Sequence, residues 1–118
     1  MAVSGHWMVH YLNAGMTESA ARRAEEARAM AQFDHGFARR HAGAFEALHA
    51  RLGFDYYQID CAETRDGRLL LFEADAAAIV HLMDPPEMFP YKPAQMRRVF
   101  AAFERMLRMR ADAIGHQE

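Results

Sequence analysis

The chain has 118 residues, 52% of them hydrophobic and 25% charged, which predicts a single folded domain over 1–118 and argues against a disordered chain. A net charge of −2 argues against a general nucleic-acid binder, and no apolar run approaches the roughly 18 residues that a membrane span needs. One cysteine, Cys61, excludes an intrachain disulfide and favours a reducing, cytoplasmic setting.

The N-terminal part predicts a strand followed by a helix. Residues 6–12 are rich in aromatic and apolar side chains and precede Asn-Ala-Gly, which indicates a strand. An alanine-rich helix over about 18–32 follows, with Thr17 or Ser19 as its N-cap. Oppositely charged residues lie at helical-neighbour spacing along it: Arg22 with Glu26, and Glu25 with Arg28.

A second helix is predicted over about 35–52. Asp34 is in place to cap its start, and Gly53 is in place to end it. Its apolar residues fall on one stripe: Phe37, Phe45, Leu48 and Leu52. This pattern predicts one amphipathic helix that packs on the core.

A β-hairpin is predicted next, with strands over about 55–63 and 68–75. Asp66-Gly67 lies between the two strands, and this dipeptide is typical of a two-residue type I′ turn, which needs positive φ at both positions. The turn length fixes which residues of the two strands lie opposite each other.

The predicted pairing concentrates acidic residues on one face of the sheet. With a two-residue turn, Asp60 lies opposite Glu73, and Gln58 lies opposite Asp75. Like charges directly opposed in a sheet destabilise it, and a hard divalent cation such as Mg²⁺ or Mn²⁺ would compensate them. The alternative is that the acidic residues are simply solvated on an open face of the sheet.

The C-terminal part predicts a proline-rich loop and a long helix over about 93–113. Pro93 suits the first turn of this helix. Its apolar residues form a long stripe: Met96, Val99, Phe100, Phe103, Met106 and Leu107. We expect the stripe to belong to the core, with part of it available as an interface. Together, these elements predict an α+β domain in which three helices cover a small antiparallel sheet.

The hairpin resembles the metal-binding hairpin of the ATP-grasp superfamily, which includes carboxylate–amine ligases. The similar residues are Tyr57-Gln-Ile-Asp60, Asp66-Gly67 and Leu71-Phe-Glu-Ala-Asp75. The resemblance implies that Asp60, Glu73 and Asp75 are magnesium ligands and that Gln58 lies beside the ATP phosphates. Asp75 stands where asparagine is usual, and Gln58 stands where the ligases commonly have arginine.

Four blocks in order extend the resemblance to the C-terminal part of bacterial ATP-grasp-like proteins, some of which carry tetratricopeptide repeats. The blocks are His6-Trp-Met-Val-His-Tyr11, Arg22-Arg-Ala-Glu-Glu26, Leu52-Gly-Phe-Asp-Tyr56 and Phe72-Glu-Ala-Asp-Ala76. The resemblance implies a partial ATP-grasp subdomain that lacks the N-terminal nucleotide lobe. We therefore expect the chain to be inactive alone and to bind ATP only if the missing lobe is supplied. The partners that the resemblance implies are that N-terminal lobe or a tetratricopeptide region.

Two other readings of the sequence carry different expectations. A non-enzymatic interaction domain would form a homodimer through apolar helix faces, and its acidic hairpin would be a solvated edge. A nucleophilic role for Cys61 is disfavoured, because alternation along the strand turns its side chain away from Asp60 and towards the expected core, where a thiol is inert.

Overall fold

The fold combines helices with a two-stranded antiparallel sheet, which confirms the predicted α+β class. A computed structural model describes residues 14–77 and 79–115, so the predicted strand over 6–12 lies outside the described residues. The elements are a 3-10 turn (Ala14–Met16), α1 (Ala20–Gln32), α2 (Phe37–Arg40), α3 (Ala42–Leu52), β1 (Gln58–Glu63), β2 (Leu69–Asp75) and α4 (Lys92–Gly115).

The first helix starts at one of the two predicted caps. The Ser19 hydroxyl accepts a hydrogen bond from the Arg22 amide at 3.3 Å, as an N-cap does. The Arg23 guanidinium donates to the carbonyl oxygens of Met16 and Thr17 at 2.9 and 2.8 Å, which ties the 3-10 turn to α1.

The prediction of one continuous helix over 35–52 is wrong, because the chain forms two helices with a break at His41. The backbone of His41 has φ −107° and ψ 14°, outside the helical region, and its buried ring contacts Glu63 of β1. Asp34 is not the cap, since the residue before α2 is Gly36 and the Asp34 carboxylate pairs with Arg98 at 2.5 Å. Gly53 ends α3 in the left-handed conformation, as expected.

The hairpin turn contains three residues, Arg65 to Gly67, rather than the predicted two. The Gly67 amide donates to the Thr64 carbonyl at 2.9 Å, and Gly67 has φ +80°. A type I turn followed by a left-handed glycine is the usual three-residue hairpin loop. The Thr64 hydroxyl closes the loop by accepting a hydrogen bond from the Arg68 amide at 2.9 Å.

A β-bulge at Phe72 restores the pairing that the odd turn would otherwise shift. Near the turn Glu63 pairs with Leu69 and Cys61 pairs with Leu71, but the next pair is Asp60 with Glu73. Phe72 is therefore the extra residue of β2. The predicted opposition of Asp60 and Glu73 is confirmed. It arises from a three-residue turn combined with a bulge, and not from the predicted two-residue turn.

The buried apolar side chains lie mainly on α1, on the segment after it, in the loop before α4 and on the first half of α4. They are Met16, Met30, Phe33, Ile59, Phe89, Met96 and Ala102. On the sheet only Ile59 is buried, and β2 is exposed from Leu70 to Asp75. The expected covering of the sheet by helices is therefore not seen among the described residues.

The long apolar stripe of α4 is only partly in the core. Met96 is buried, but Phe100, Phe103 and Leu107 are exposed, so the prediction that they belong to the core is wrong. Every residue from Phe103 to Gly115 is exposed except Met106, and the described chain is elongated, with extents of 55 × 36 × 24 Å. No helix of the described part, α4 included, has the length and apolarity that crossing a bilayer requires.

Candidate metal centre

The four residues predicted to form the site line one shallow depression on the hairpin. The depression has a volume of about 90 Å³, and its lining residues are Gln58, Asp60, Glu73 and Asp75. Two opposed pairs, Asp60 with Glu73 and Gln58 with Asp75, bring these side chains to the same face of the sheet. The hairpin therefore collects oxygen-bearing side chains from both strands.

Asp60 and Glu73 face each other without a positively charged partner among the described residues. Other acidic residues close to the two strands do have such partners: Asp55 with Arg110, Glu63 with Arg40, and Asp66 with Arg68. Two carboxylates opposed in this way repel each other. Their charge is thus compensated by solvent or by a bound cation.

Asp75 has a structural contact at the end of β2. Its Oδ1 atom accepts a hydrogen bond from the Ala77 amide at 2.7 Å, which forms a local turn after the strand. Burial, and secondarily the negative charge of Asp75, raises the pKa of Tyr56. Asp75 therefore contributes negative potential to the depression while it also shapes the chain that leaves it.

The side chains present fit a hard cation better than a soft one, because the residues that line the depression carry carboxylates and an amide. In the described part of the chain, no three histidine, cysteine, aspartate or glutamate side chains converge tightly enough to hold a metal ion by themselves. Mg²⁺ does not need such a cage, since it commonly keeps several waters and uses one or two carboxylates. The opposed pair of Asp60 and Glu73 meets that smaller requirement.

A buried ionic network around Lys92, the only lysine of the sequence, was missed by the sequence analysis. Glu26 is fully buried, and its Oε1 accepts a hydrogen bond from the Tyr91 hydroxyl at 2.7 Å. The Lys92 ammonium lies 3.5 Å from Glu26 and 3.0 Å from Asp84, above the ring of Phe89. The ammonium group is thus directed into the protein and is not presented to a nucleotide phosphate.

A second ionic cluster joins the helix break to β1. The Nε2 atom of His41 lies 2.6 Å from Glu63 Oε2, and the Arg40 guanidinium lies 3.0 Å from the same oxygen. The hydrogen bond from Arg40, followed by that from His41, lowers the pKa of Glu63. The only available sequence signal was a histidine inside the predicted helix, and its partner lies 22 residues away in sequence.

Cys61 behaves as expected for a thiol turned away from Asp60. Its side chain is half-buried on the other face of β1. Burial, with a smaller effect of the Asp60 charge, raises the pKa of the Cys61 thiol. A raised pKa reduces the thiolate fraction at neutral pH, which disfavours nucleophilic catalysis by this residue.

The candidate site is therefore identified from the geometry of the hairpin alone. No protein-family model matches the sequence, and neither the curated proteins nor the solved structures contain a significant match.

Proposed function

We propose that the hairpin binds a hard divalent cation, Mg²⁺ or Mn²⁺, and that the chain is the metal-binding portion of an ATP-grasp-type, carboxylate–amine ligase-like protein. The observation that carries the proposal is the direct opposition of Asp60 and Glu73 with no cationic partner among the described residues. Gln58 and Asp75, the next opposed pair, line the same depression and add an amide and a third carboxylate.

Within this proposal each side chain has a distinct task. Asp60 and Glu73 bind the cation, Asp75 adds negative charge and oxygen ligands, and the Gln58 amide donates hydrogen bonds to a phosphate oxygen. A bound magnesium ion would neutralise nucleotide phosphate charge. Since Lys92 is buried in ion pairs, the chain's own lysine is not available to contact phosphates.

The proposal is tested by thermal melting in increasing MgCl₂ and MnCl₂. A ligand that binds only the folded state stabilises it by RT ln(1 + [L]/Kd), so the Tm of the natural sequence should rise with metal concentration. In Glu73→Gln the rise should disappear. Glu46→Gln is the matched control, because Glu46 is an exposed carboxylate on α3, away from the depression.

A metal-free measurement separates a lost ligand from a damaged fold. Glu73→Gln removes one of two opposed charges, so in chelator it should be more stable than the natural sequence by about 0.2–1 kcal/mol. The variant should therefore gain stability without metal and lose the response to metal. Equal metal-dependent shifts in the natural sequence and in Glu73→Gln, or no shift in either, would overturn the proposal and leave the carboxylates as a solvated face.

A structural readout locates the metal. Mn²⁺ is paramagnetic, so at low occupancy it should broaden the backbone amide NMR signals of β1 and β2 around Asp60 and Glu73. The broadening should weaken steadily with distance from these two residues. Uniform broadening of acidic surface segments would instead mean non-specific attraction of the cation.

A further inference from the structure

The second half of α4 buries little of its surface against the rest of the described chain, although Tyr56 packs edge-on against Phe103 and Arg110 pairs with Asp55. From Phe103 to Gly115 every residue but Met106 is exposed, whereas the first half contains the buried Lys92, Met96 and Ala102. Isolated helices shorter than about 12–15 residues are marginal in water, because most helical stability in proteins comes from packing of an apolar face. A partner surface over the exposed residues would therefore stabilise this half of α4.

The exposed apolar residues of α4 form one stripe. Phe100, Phe103, Leu107 and Ile114 are 42%, 42%, 51% and 70% exposed. They follow one another at intervals of three, four and seven residues, which is the spacing of the contact positions in a heptad repeat. Arg110, which pairs with Asp55 of its own chain, occupies the contact position between Leu107 and Ile114, so the stripe has a single charged interruption.

We propose that this stripe, named here the α4 stripe, packs against the α4 stripe of a second copy of the chain, with the two helices antiparallel and centred on Leu107. An antiparallel pair centred there places Phe100 opposite Ile114, and Phe103 close to Ala111. A large side chain thus meets a small one on each side of the two-fold axis, which is how an isologous interface becomes self-complementary.

Charge favours a second copy in this orientation. Glu104 lies just before Leu107 and Arg108 just after it, on the same flank of the stripe. Within each chain the Arg108 guanidinium already pairs with Glu104 at 2.6 Å. Antiparallel pairing brings Glu104 of each copy within one helical turn of Arg108 of the other, so the two intrachain pairs join into one network of alternating charges beside the axis. Parallel pairing would instead place the two Arg110 side chains opposite each other at the interface, where like charges destabilise.

The inference does not depend on metal binding by the hairpin. The α4 stripe and the depression share no residue. The net charge of −2 also imposes little repulsion between two copies. The interface is therefore tested separately from the proposed cation site.

The test is the molar mass of the full chain in solution, measured by light scattering and by sedimentation equilibrium over a range of concentrations. The natural sequence should give twice the 13.5 kDa chain mass. Leu107→Glu should give the single-chain mass, because two carboxylates would meet at the two-fold axis. Met109→Glu is the matched control, since Met109 is equally apolar and 54% exposed but lies on the opposite side of α4; it should remain dimeric.

Cysteine cross-linking in a Cys61→Ser background tests the orientation without placing a charge in the interface. Mixing Phe100→Cys and Ile114→Cys chains should give the mixed disulfide under mild oxidation, while Ile114→Cys alone should cross-link poorly. Efficient cross-linking of Ile114→Cys with itself would overturn the antiparallel arrangement. A natural sequence that stays monomeric up to millimolar concentration, or a dimer unaffected by Leu107→Glu, would overturn the interface.

Discussion

Glu26 connects α1 to the start of α4 through a buried carboxylate that both Tyr91 and Lys92 contact. Because Arg22 lies one helical turn before Glu26, the sequence predicts a salt bridge between these two residues on the helix surface. In the structure the carboxylate points inward, and the next residue on the same face, Met30, is also buried. The position of Glu26 on the helix is visible in the sequence, but its hydrogen-bond partner Tyr91, 65 residues away, is not.

We expect the Tyr91–Glu26 hydrogen bond to contribute measurably to stability. Tyr91→Phe leaves a buried carboxylate oxygen short of one donor, which should lower the free energy of unfolding by about 1–3 kcal/mol. Lys92→Met removes the cation from between two carboxylates and should cost more, about 3–5 kcal/mol. Urea unfolding of both variants checks these values.

A double-mutant cycle supplies the control for this network. If the Tyr91 hydroxyl acts through Glu26, Tyr91→Phe should cost much less in a Glu26→Gln background, because the charged acceptor has been removed. Equal costs in the two backgrounds would mean that Tyr91 contributes through packing alone, for example through its edge contact with Phe89.

Glu63 gives the protein a defined acid sensitivity. Arg40, followed by His41, lowers the pKa of Glu63 from its ordinary value of 4.5, so the folded state binds this proton less tightly than the unfolded state. The resulting stability is fully present above about pH 4.5 and is lost as the pH falls towards the lower folded-state pKa. Glu63→Gln should therefore show a shallower fall in Tm over that interval.

The control for this pH dependence is Glu46→Gln, which removes an exposed carboxylate that makes no ion pair within the described residues. Its Tm should fall with pH in parallel with the natural sequence. If Glu63→Gln also ran parallel to the natural sequence, the ion pairs of Glu63 would have no role in acid unfolding.

At the scale of elements, the hairpin shows how a correct pairing can follow from an incorrect turn. Asp66-Gly67 predicts a hairpin and a left-handed glycine, and both are present. The same dipeptide fits a two-residue or a three-residue loop, so it does not determine the turn length. The Phe72 bulge then compensates the odd turn, and no local pattern in Leu69–Asp75 marks which residue bulges.

We predict that deletion of Phe72 leaves Asp60 opposite Glu73. The deletion removes the unpaired residue of β2, so Leu71 stays with Cys61, and Glu73 directly follows it. Cross-strand NOEs between Asp60 and Glu73 should persist, and so should the proposed response to metal. Deletion of Ala74 is the control, because it removes a paired residue and shifts Asp75 against Ile59.

The helix break at His41 has a different physical origin. Residues 35–52 carry a helical apolar stripe, and local propensity alone favours continuity. The break turns the buried His41 ring to Glu63, so a contact between distant segments overrides a local preference. Such contacts cannot be read from periodicity, which is why the helix ends were predicted better than its middle.

At the scale of the whole molecule, the sequence predicts an apolar stripe on α4 but not which part of it faces the core. Met96 and Ala102 are buried, while Phe100, Phe103 and Leu107 are exposed, although all of them lie on one amphipathic helix. Periodicity identifies an apolar face of the helix. It does not show whether that face is covered by the same chain or by another one. In the same way, the residue spacing predicts that Asp60 and Glu73 lie opposite each other, but it does not identify the group that neutralises their charge.

The projecting half of α4 should be detectable in the overall dimensions of a single chain. The described residues have a radius of gyration of 15.9 Å, whereas a compact domain of this size has about 13 Å. Small-angle X-ray scattering of monomeric Leu107→Glu should therefore give the larger value. A radius near the compact value would mean that the distal half of α4 folds back onto the rest of the chain when the second copy is absent.

The burial of Lys92 also protects its amine from reagents that acylate exposed lysines. Its ammonium group is 4% exposed and is held by two carboxylates, so acylation or isopeptide formation at this side chain requires the contact between α1 and α4 to open first. Because the sequence contains no other lysine, the rate at which an activated ester modifies this side chain reports that opening directly. One covalent label, followed by mass spectrometry, thus measures how often the interior of the molecule becomes accessible.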